Sequence, residues 1–409
     1  MNRIKRLVLC LGVIIFLCGT STAQGTVTSR EPSRSPRVFL LDARRLQTTK
    51  ERIRNGDKNA AQAMSKLELE AKKAINGGPF SVVSKLATPP SGDKHDYMSQ
   101  APYFWPNPDT PDHLPYIRRD GERNPEINKI SDHQNMDRMV SAVDTLALAY
   151  FFSGNEAYAA KAAELARAWF VEPATRMNPN LEFAQFIPGV NTGRGIGLIE
   201  TRGLTRVVDA IGLLAGSKAW NESDQRNLER WFSQFLQWML ESKHGRDEAA
   251  AKNNHGTYYD LQISSFALFV GKKDLAVRTL ETARTKRIAI QIEPDGRQPL
   301  ELVRTKGWSY SVGNLDGLTL LATLGERVGV NLWNYRTADG RSIRLALGYL
   351  VPFAFDEKRW PDQQIGEWQP QLLFPLIRRS AGRYLDRQYQ ALSKKVPQVD
   401  ASDRSNLTQ

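Results

Sequence analysis

The sequence predicts an all-α fold, a succession of antiparallel helical hairpins that either closes into a toroid or stacks as a solenoid. Three observations lead there. Apolar residues recur at the three-four spacing of a helical face through most of the chain from Leu41 onward, stretches with a period of two are scarce, and polar turns divide the helical stretches into pairs. No repeat of fixed period runs along the chain, which argues against the open solenoid.

Taken in order, the chain opens on Lys5 and Arg6, an apolar run from Leu7 to Leu17, and Ser21-Thr22-Ala23. A charged start, a run too short to span a bilayer comfortably and small residues ending in Ala describe a cleavable export signal, residues 1–23, and a periplasmic or secreted protein. Cys18 invites a lipoprotein reading, but Leu17 is too large for the residue before a lipidated cysteine. Both cysteines, Cys10 and Cys18, lie in this segment, so the processed chain is expected to have no disulfide and no thiolate chemistry. Residues 24–37, rich in Ser, Thr, Arg and Pro, read as a disordered leader. The domain then runs over 38–395, and 396–409 read as a polar C-terminal tail.

Within the domain, Met136, Met139, Val140, Val143, Ala147 and Tyr150 line one helical face. After the turn Ser153-Gly154-Asn155, Tyr158, Ala162, Leu165 and Trp169 begin the pattern again. Leu228, Trp231, Phe232, Phe235, Leu236 and Met239 mark another amphipathic helix. Gly271-Lys272-Lys273-Asp274 separates two more, and further helices are expected near 314–328 and 340–355. Between them lie long polar and aromatic segments, 88–130, 172–203, 244–256 and 289–313. Irregular segments of that length in a compact domain commonly carry function. At one rim of a toroid they would form a cleft.

The formal charge is +12, falling to +9 once Arg3, Lys5 and Arg6 of the signal are removed. A basic surface suits a polyanion. Export and the lack of any recognition motif argue against nucleic acid, no other stretch is apolar enough for membrane insertion, and an acidic polysaccharide fits both charge and compartment. The bland alternative is a merely basic soluble protein.

Three clusters could carry chemistry. Lys252-Asn253-Asn254-His255-Gly256-Thr257-Tyr258-Tyr259-Asp260 opens a helix, and its bland reading is an Asn N-cap with a satisfied histidine. Glu301 to Tyr310 holds Arg304, alternatively a surface ion pair of Glu301 and Arg304 beside a half-buried Tyr310. His95-Asp96-Tyr97-Met98 leads into Tyr103-Phe104-Trp105-Pro106, aromatics that either staple a loop or stack on sugar. Together they suit one reaction. Removing the proton beside a uronate carboxylate needs neutral or cationic donors on that carboxylate, a base at the ring carbon and an acid at the departing oxygen. Asn254, His255 and Arg304 can be the donors. Tyr310 can be base and acid, provided nearby cations lower its pKa from about 10. No metal or other cofactor is needed. The five histidines, His95, His113, His133, His244 and His255, show no ligand spacing.

The stretches HDYMSQAPYFWPNP (95–108), WFVEPATRMNPNLEFAQ (169–185), NNHGTYYDLQ (253–262), DGRQPLELVRT (295–305) and SYSVGNLDG (309–317) resemble the alginate lyase superfamily, helical-toroid lyases that include polysaccharide lyase families five and thirty-eight. The HDYM segment, and Gly256 where the periplasmic enzymes carry Ser, bring it nearer family thirty-eight, whose members degrade alginate and glucuronan. The resemblance implies an α/α toroid and catalytic roles for Asn254, His255, Arg304 and Tyr310. It also implies that Glu301 orients a catalytic group and that Gln185 contacts sugar, and we add Tyr97, Trp105, Tyr259 and Glu301 itself to the expected substrate-binding set. A polysaccharide lyase cleaving alginate, in particular polymannuronate, or glucuronan by β-elimination is therefore expected. Two other functions compete. A toroidal glycoside hydrolase would draw its pair of carboxylates from Glu293, Asp295, Glu301 and Asp316. A non-catalytic acidic-polysaccharide-binding protein explains the charge and the aromatics but not Asn-His beside Arg-Tyr.

Overall fold

A computed structural model describes residues 35–408. The signal and most of the expected leader lie outside the described residues. Helices α1 (Ala43–Arg54) and α2 (Lys58–Ala74) start on Asp42 and Asp57, whose carboxylates cap free backbone N–H groups. The first long hairpin follows as α3 (Asp132–Ser153) and α4 (Glu156–Phe170). Gly154 ends α3 at φ 73°, a left-handed conformation that L side chains rarely adopt, and Asn155 caps α4.

The hairpins form two layers, and burial separates them. Helix α6 (Glu222–Glu241), begun by an Asn221–Asp224 capping box, buries one stripe of Leu228, Trp231, Phe232, Phe235, Leu236 and Met239. Helix α8 (Asn254–Phe269) is buried almost all round and packs on α5 (Leu204–Leu213), α6 and α9 (Lys273–Ala283). Together with α3, α5 and α12 (Gly307–Val328), it forms the inner layer of an α/α toroid, while α4, α6 and α9 lie outside. Helix α13 (Ile343–Ala354) flanks α12, and α14 (Phe374–Ala381) and α15 (Arg387–Lys395) complete the succession.

The two ends of the described chain fasten the ring. The carboxylate of Asp209 on α5 accepts the N–H groups of Phe39, Leu40 and Leu41, and Arg327 of α12 donates to the carbonyls of Phe39 and Leu41. Residues 396–408, set apart by composition as a tail, pack back on the domain. Arg404 pairs with Glu70 of α2 and Asp144 of α3, and Leu407 in α16 (Ser405–Thr408) is buried.

Two of the segments expected to be irregular are partly α-helical, and the other two hold 3-10 turns at Pro125–Lys129 and Gly195–Gly203. Ser242 caps α7 (Lys243–Ala249), and 289–313 holds the short α10 (Ala289–Gln291), α11 (Pro299–Leu302) and the start of α12. Strands are few. β1 (Met98–Gln100) pairs in parallel with β4 (Phe183–Phe186), and β2 (Phe104–Trp105) forms a hairpin with β3 (Ile117–Arg118). A buried ion pair between Lys85 and Asp132 ties this loop region to the start of α3, where Asp132 also accepts the N–H of Met98.

Candidate active site

The loops and the N-terminal ends of α8 and α12 enclose a cleft of about 730 Å³. Asn254, His255, Arg304 and Tyr310 all line it, together with Gln185. The central cavity of about 790 Å³ holds none of the four, and several of its charges pair internally, as in Arg379–Asp316 and Arg404–Asp144.

Asn254 is the first residue of α8, after the N-cap Asn253. Its backbone N–H donates to Glu301 Oε1 at 2.6 Å and its Nδ2 to Glu301 Oε2 at 2.7 Å. This fixes the amide and leaves one Nδ2 hydrogen for the cleft. Glu301 is 1 % exposed, and its burial raises the pKa of its carboxyl against the bonds from Asn254. Glu301 therefore orients Asn254, and its place among sugar-contacting residues is corrected. His255 Nδ1 bonds Glu248 Oε1 at 2.8 Å, so Nε2 is the nitrogen left for a ligand. The turn that carries both residues is gripped by Arg287, which donates to the carbonyls of Ala249 and Ala251 and pairs with Asp260. Arg287 sits in a π-helical turn, Arg284–Ile288. A Cβ on Gly256 would lie 2.2 Å from Ala251 O and 2.4 Å from Arg287 Nη1, so this grip requires glycine.

Arg304 donates through Nε and Nη2 to the carboxylate of Asp120, at 2.8 Å for the shortest bond. Nη1 is free of this clamp. Burial pushes the Asp120 carboxyl up, but the bonds from Arg304 and the Thr305 N–H outweigh it and hold the group well below the carboxylate range. The Arg304 guanidinium carbon also lies 4.1 Å from the centre of the Tyr310 ring. The Tyr310 hydroxyl donates to the Tyr103 hydroxyl at 2.8 Å. Tyr310 departs from expectation: burial and Tyr103 raise its pKa, and Arg304 opposes them without reversing the direction.

Two expected sugar contacts, Tyr97 and Tyr259, are corrected by their burial. Tyr97 is fully buried, its hydroxyl donating to Glu200. Tyr259 is 6 % exposed and bonds Met239 O of the outer layer, whereas Tyr258, one residue and about 100° away around α8, faces the cleft. Trp105 lies outside the cleft lining. Its indole bonds Glu122 O beneath Arg119 and staples the hairpin, while Tyr103 and Phe104 line the cleft. The sequence reading also missed Asp120, Glu248 and the lining arginines Arg118, Arg123, Arg194 and Arg202. Among the described residues lining the cleft, Glu200 is the sole carboxylate. Of the hydrolase candidates, Glu301 is sealed under Asn254, Asp295 pairs with Arg297 and Asp316 with Arg379. Among the described residues, no three His, Cys, Asp or Glu side chains group as metal ligands do.

An α/α toroid whose cationic cleft joins an Asn-His pair to an Arg-Tyr pair suits a polysaccharide lyase, and that is the class its family gives the chain. Residues 81–360 match the alginate lyase family. The crystal structure of an alginate lyase from Bacteroides ovatus superposes with a TM-score of 0.88 at 39% identity, over 91% of this chain and 99% of that one. The chain belongs to the alginate lyase family. Alginate lyase A1-III from Sphingomonas species A1 shares the fold, with a TM-score of 0.57 at 13% identity over 90% of this chain and 95% of that one. A histidine-to-alanine variant of A1-III complexed with a tetrasaccharide matches similarly, with a TM-score of 0.58 at 12% identity over 92% and 97% of the two chains. No curated protein matches the chain.

Proposed function

We propose that the protein cleaves alginate by β-elimination, chiefly in its polymannuronate stretches or in the like-configured glucuronan, with Asn254, His255, Arg304 and Tyr310 as the reacting set. The observation that carries this reading is their convergence on one cleft lined by five arginines and a single carboxylate. A hydrolase needs two facing carboxylates. The 39% identity to an alginate lyase over nearly the whole chain supports the polymer named.

In this reading the remaining Asn254 Nδ2 hydrogen, His255 and Arg304 Nη1 meet the uronate carboxylate and stabilise the charge that grows there as the proton on carbon five leaves. Tyr310 takes that proton. The bond from carbon four to the glycosidic oxygen then breaks, a double bond forms between carbons four and five, and Tyr310 returns the proton to the departing oxygen. Because its pKa is raised, Tyr310 rests as the phenol at neutral pH, and the step draws on a minor phenolate that is a correspondingly strong base. In mannuronate and glucuronate the proton and the leaving oxygen share one face, so one group serves both steps. In guluronate they lie on opposite faces, and a second group is needed, for which His255 is the candidate. Residues 1–23 we read as the signal that delivers the enzyme to the periplasm or beyond.

The test assays wild-type, Tyr310→Phe and His255→Ala proteins on polymannuronate, polyguluronate and glucuronan by ultraviolet absorbance of the unsaturated product, with thermal melts as the folding control. Chelator-treated wild type should generate the chromophore on the same-face polymers. Tyr310→Phe should lose that activity while melting normally, and His255→Ala should keep a measurable remainder. Saturated reducing ends alone would establish hydrolysis, and a folded Tyr310→Phe with most of its activity would remove Tyr310 as the base.

A further inference from the structure

Among the described residues lining the cleft, Arg194 is the one cation that is both largely withdrawn from water and without a hydrogen-bonded or ion-paired anion. Its Nε is buried with no hydrogen-bond acceptor, and among the described residues only Nη2 reaches one, Gln185 Oε1 at 2.9 Å. The guanidinium carbon lies 5.1 Å from the Phe104 ring centre. The two carboxylates that act on it through space, Glu200 and Glu248, make no hydrogen bond to it: Glu200 Oε2 accepts from the hydroxyls of Tyr97 and Ser99, and Glu248 Oε1 bonds His255. Burial accordingly lowers its pKa to about 10. A guanidinium held this way stays charged at neutral pH and is costly to keep until an anion reaches it.

Its placement is rigid. A Cβ on Gly193 would fall 1.9 Å from Glu182 O, and one on Gly195 would fall 2.6 Å from His244 O, so the backbone on either side is pressed flat against its neighbours. The Arg194 N–H donates to Ala184 O. Its partner Gln185 holds a left-handed backbone at φ 50°, strain of a kind that gathers at ligand sites. Phe104, the surface beneath the guanidinium, adjoins Tyr103, which bonds Tyr310. Arg194 thus lies beside the reacting set while Arg304, Asn254 and His255 supply the donors for the carboxylate whose sugar is deprotonated.

We propose that Arg194 receives a second carboxylate of the bound polymer, that of a sugar neighbouring the one deprotonated, and so selects a uronate at that position. The inference rests on the polyuronate lyase reading. An interaction made equally in the bound and transition states acts on KM, whereas a donor to the developing charge acts on kcat.

The experiment measures steady-state kinetics of wild-type, Arg194→Gln and Arg194→Lys full-length protein on polymannuronate at low and high salt. In Arg194→Gln, KM should rise about tenfold or more, the scale of a lost charge-assisted hydrogen bond, while kcat falls less than threefold. Arg194→Lys should recover part of the loss, and KM of Arg194→Gln should depend less steeply on salt than that of wild type. A wild type that forms no unsaturated product from any polyuronate sinks the lyase reading and this inference with it. Normal wild-type activity with an unchanged KM in Arg194→Gln sinks this inference alone. So does a fall in kcat or melting temperature with KM unmoved, which would assign Arg194 a structural role.

Discussion

Tyr310 is tuned by its neighbours in opposite directions. Burial and the bond to Tyr103 raise its pKa, and the Arg304 guanidinium over its ring lowers it. Tyr103→Phe removes an upward influence and leaves Arg304 in place, so the Tyr310 pKa should fall toward the ordinary phenol value. More phenolate is then present at a given pH, and the limb of kcat/KM that reports loss of the Tyr310 proton should move to lower pH. A pH profile of the Tyr103→Phe variant checks this. An unmoved limb, or one displaced upward, would mean that the hydrogen bond between the two tyrosines does not set the proton affinity of Tyr310.

At the scale of elements, the cleft is assembled by cross-braces rather than by any one helix. The loop after β3 reaches the α11–α12 connection through Asp120, which binds both Arg304 and the Thr305 N–H. Gly121 seals the contact, since a Cβ there would meet Thr305 Oγ1 at 2.4 Å. With Nε and Nη2 held by Asp120, the plane of the guanidinium is fixed and Nη1 stays outside the clamp. Asp120→Ala should therefore reduce kcat about tenfold or more, from the loss of roughly 1.5–3 kcal/mol of charge-assisted hydrogen bonding that orients the guanidinium. Kinetics with a melting control decide it, and a folded variant with wild-type kcat would show that Arg304 is aimed without the clamp.

For the whole molecule, ring closure depends on polar fasteners at the two ends of the described chain. Asp209 is buried, and burial raises its pKa to about 6 despite three backbone N–H donors. Asp209→Ala would strand those donors in the interior, at a cost of about 3 kcal/mol or more, while leaving the cleft untouched. The melting midpoint should drop clearly, with activity per folded molecule preserved. An unaltered midpoint would show that residues 39–41 find other acceptors and do not hold the ring.

Local chemistry in the chain was enough to establish the helical class, the α3–α4 hairpin, the buried stripe of α6 and the segments bearing Asn254, His255, Arg304 and Tyr310. A helical face repeats every three or four residues, and an Asn-Asn-His-Gly run announces itself within one turn, so both are written at short range. What only the tertiary structure decided is which polar group meets which. Tyr103 lies 207 residues from Tyr310, Asp120 lies 184 from Arg304, and Glu301 lies 47 from Asn254. No local pattern marks a lone carboxylate as the partner of a distant cation. Tyr258 and Tyr259 carry the same chemistry one position apart, yet a single helical step sends one to the cleft and the other to the core. Spacing along the chain specifies the helix, whereas the packing of one helix on another specifies which of its sides is the inside.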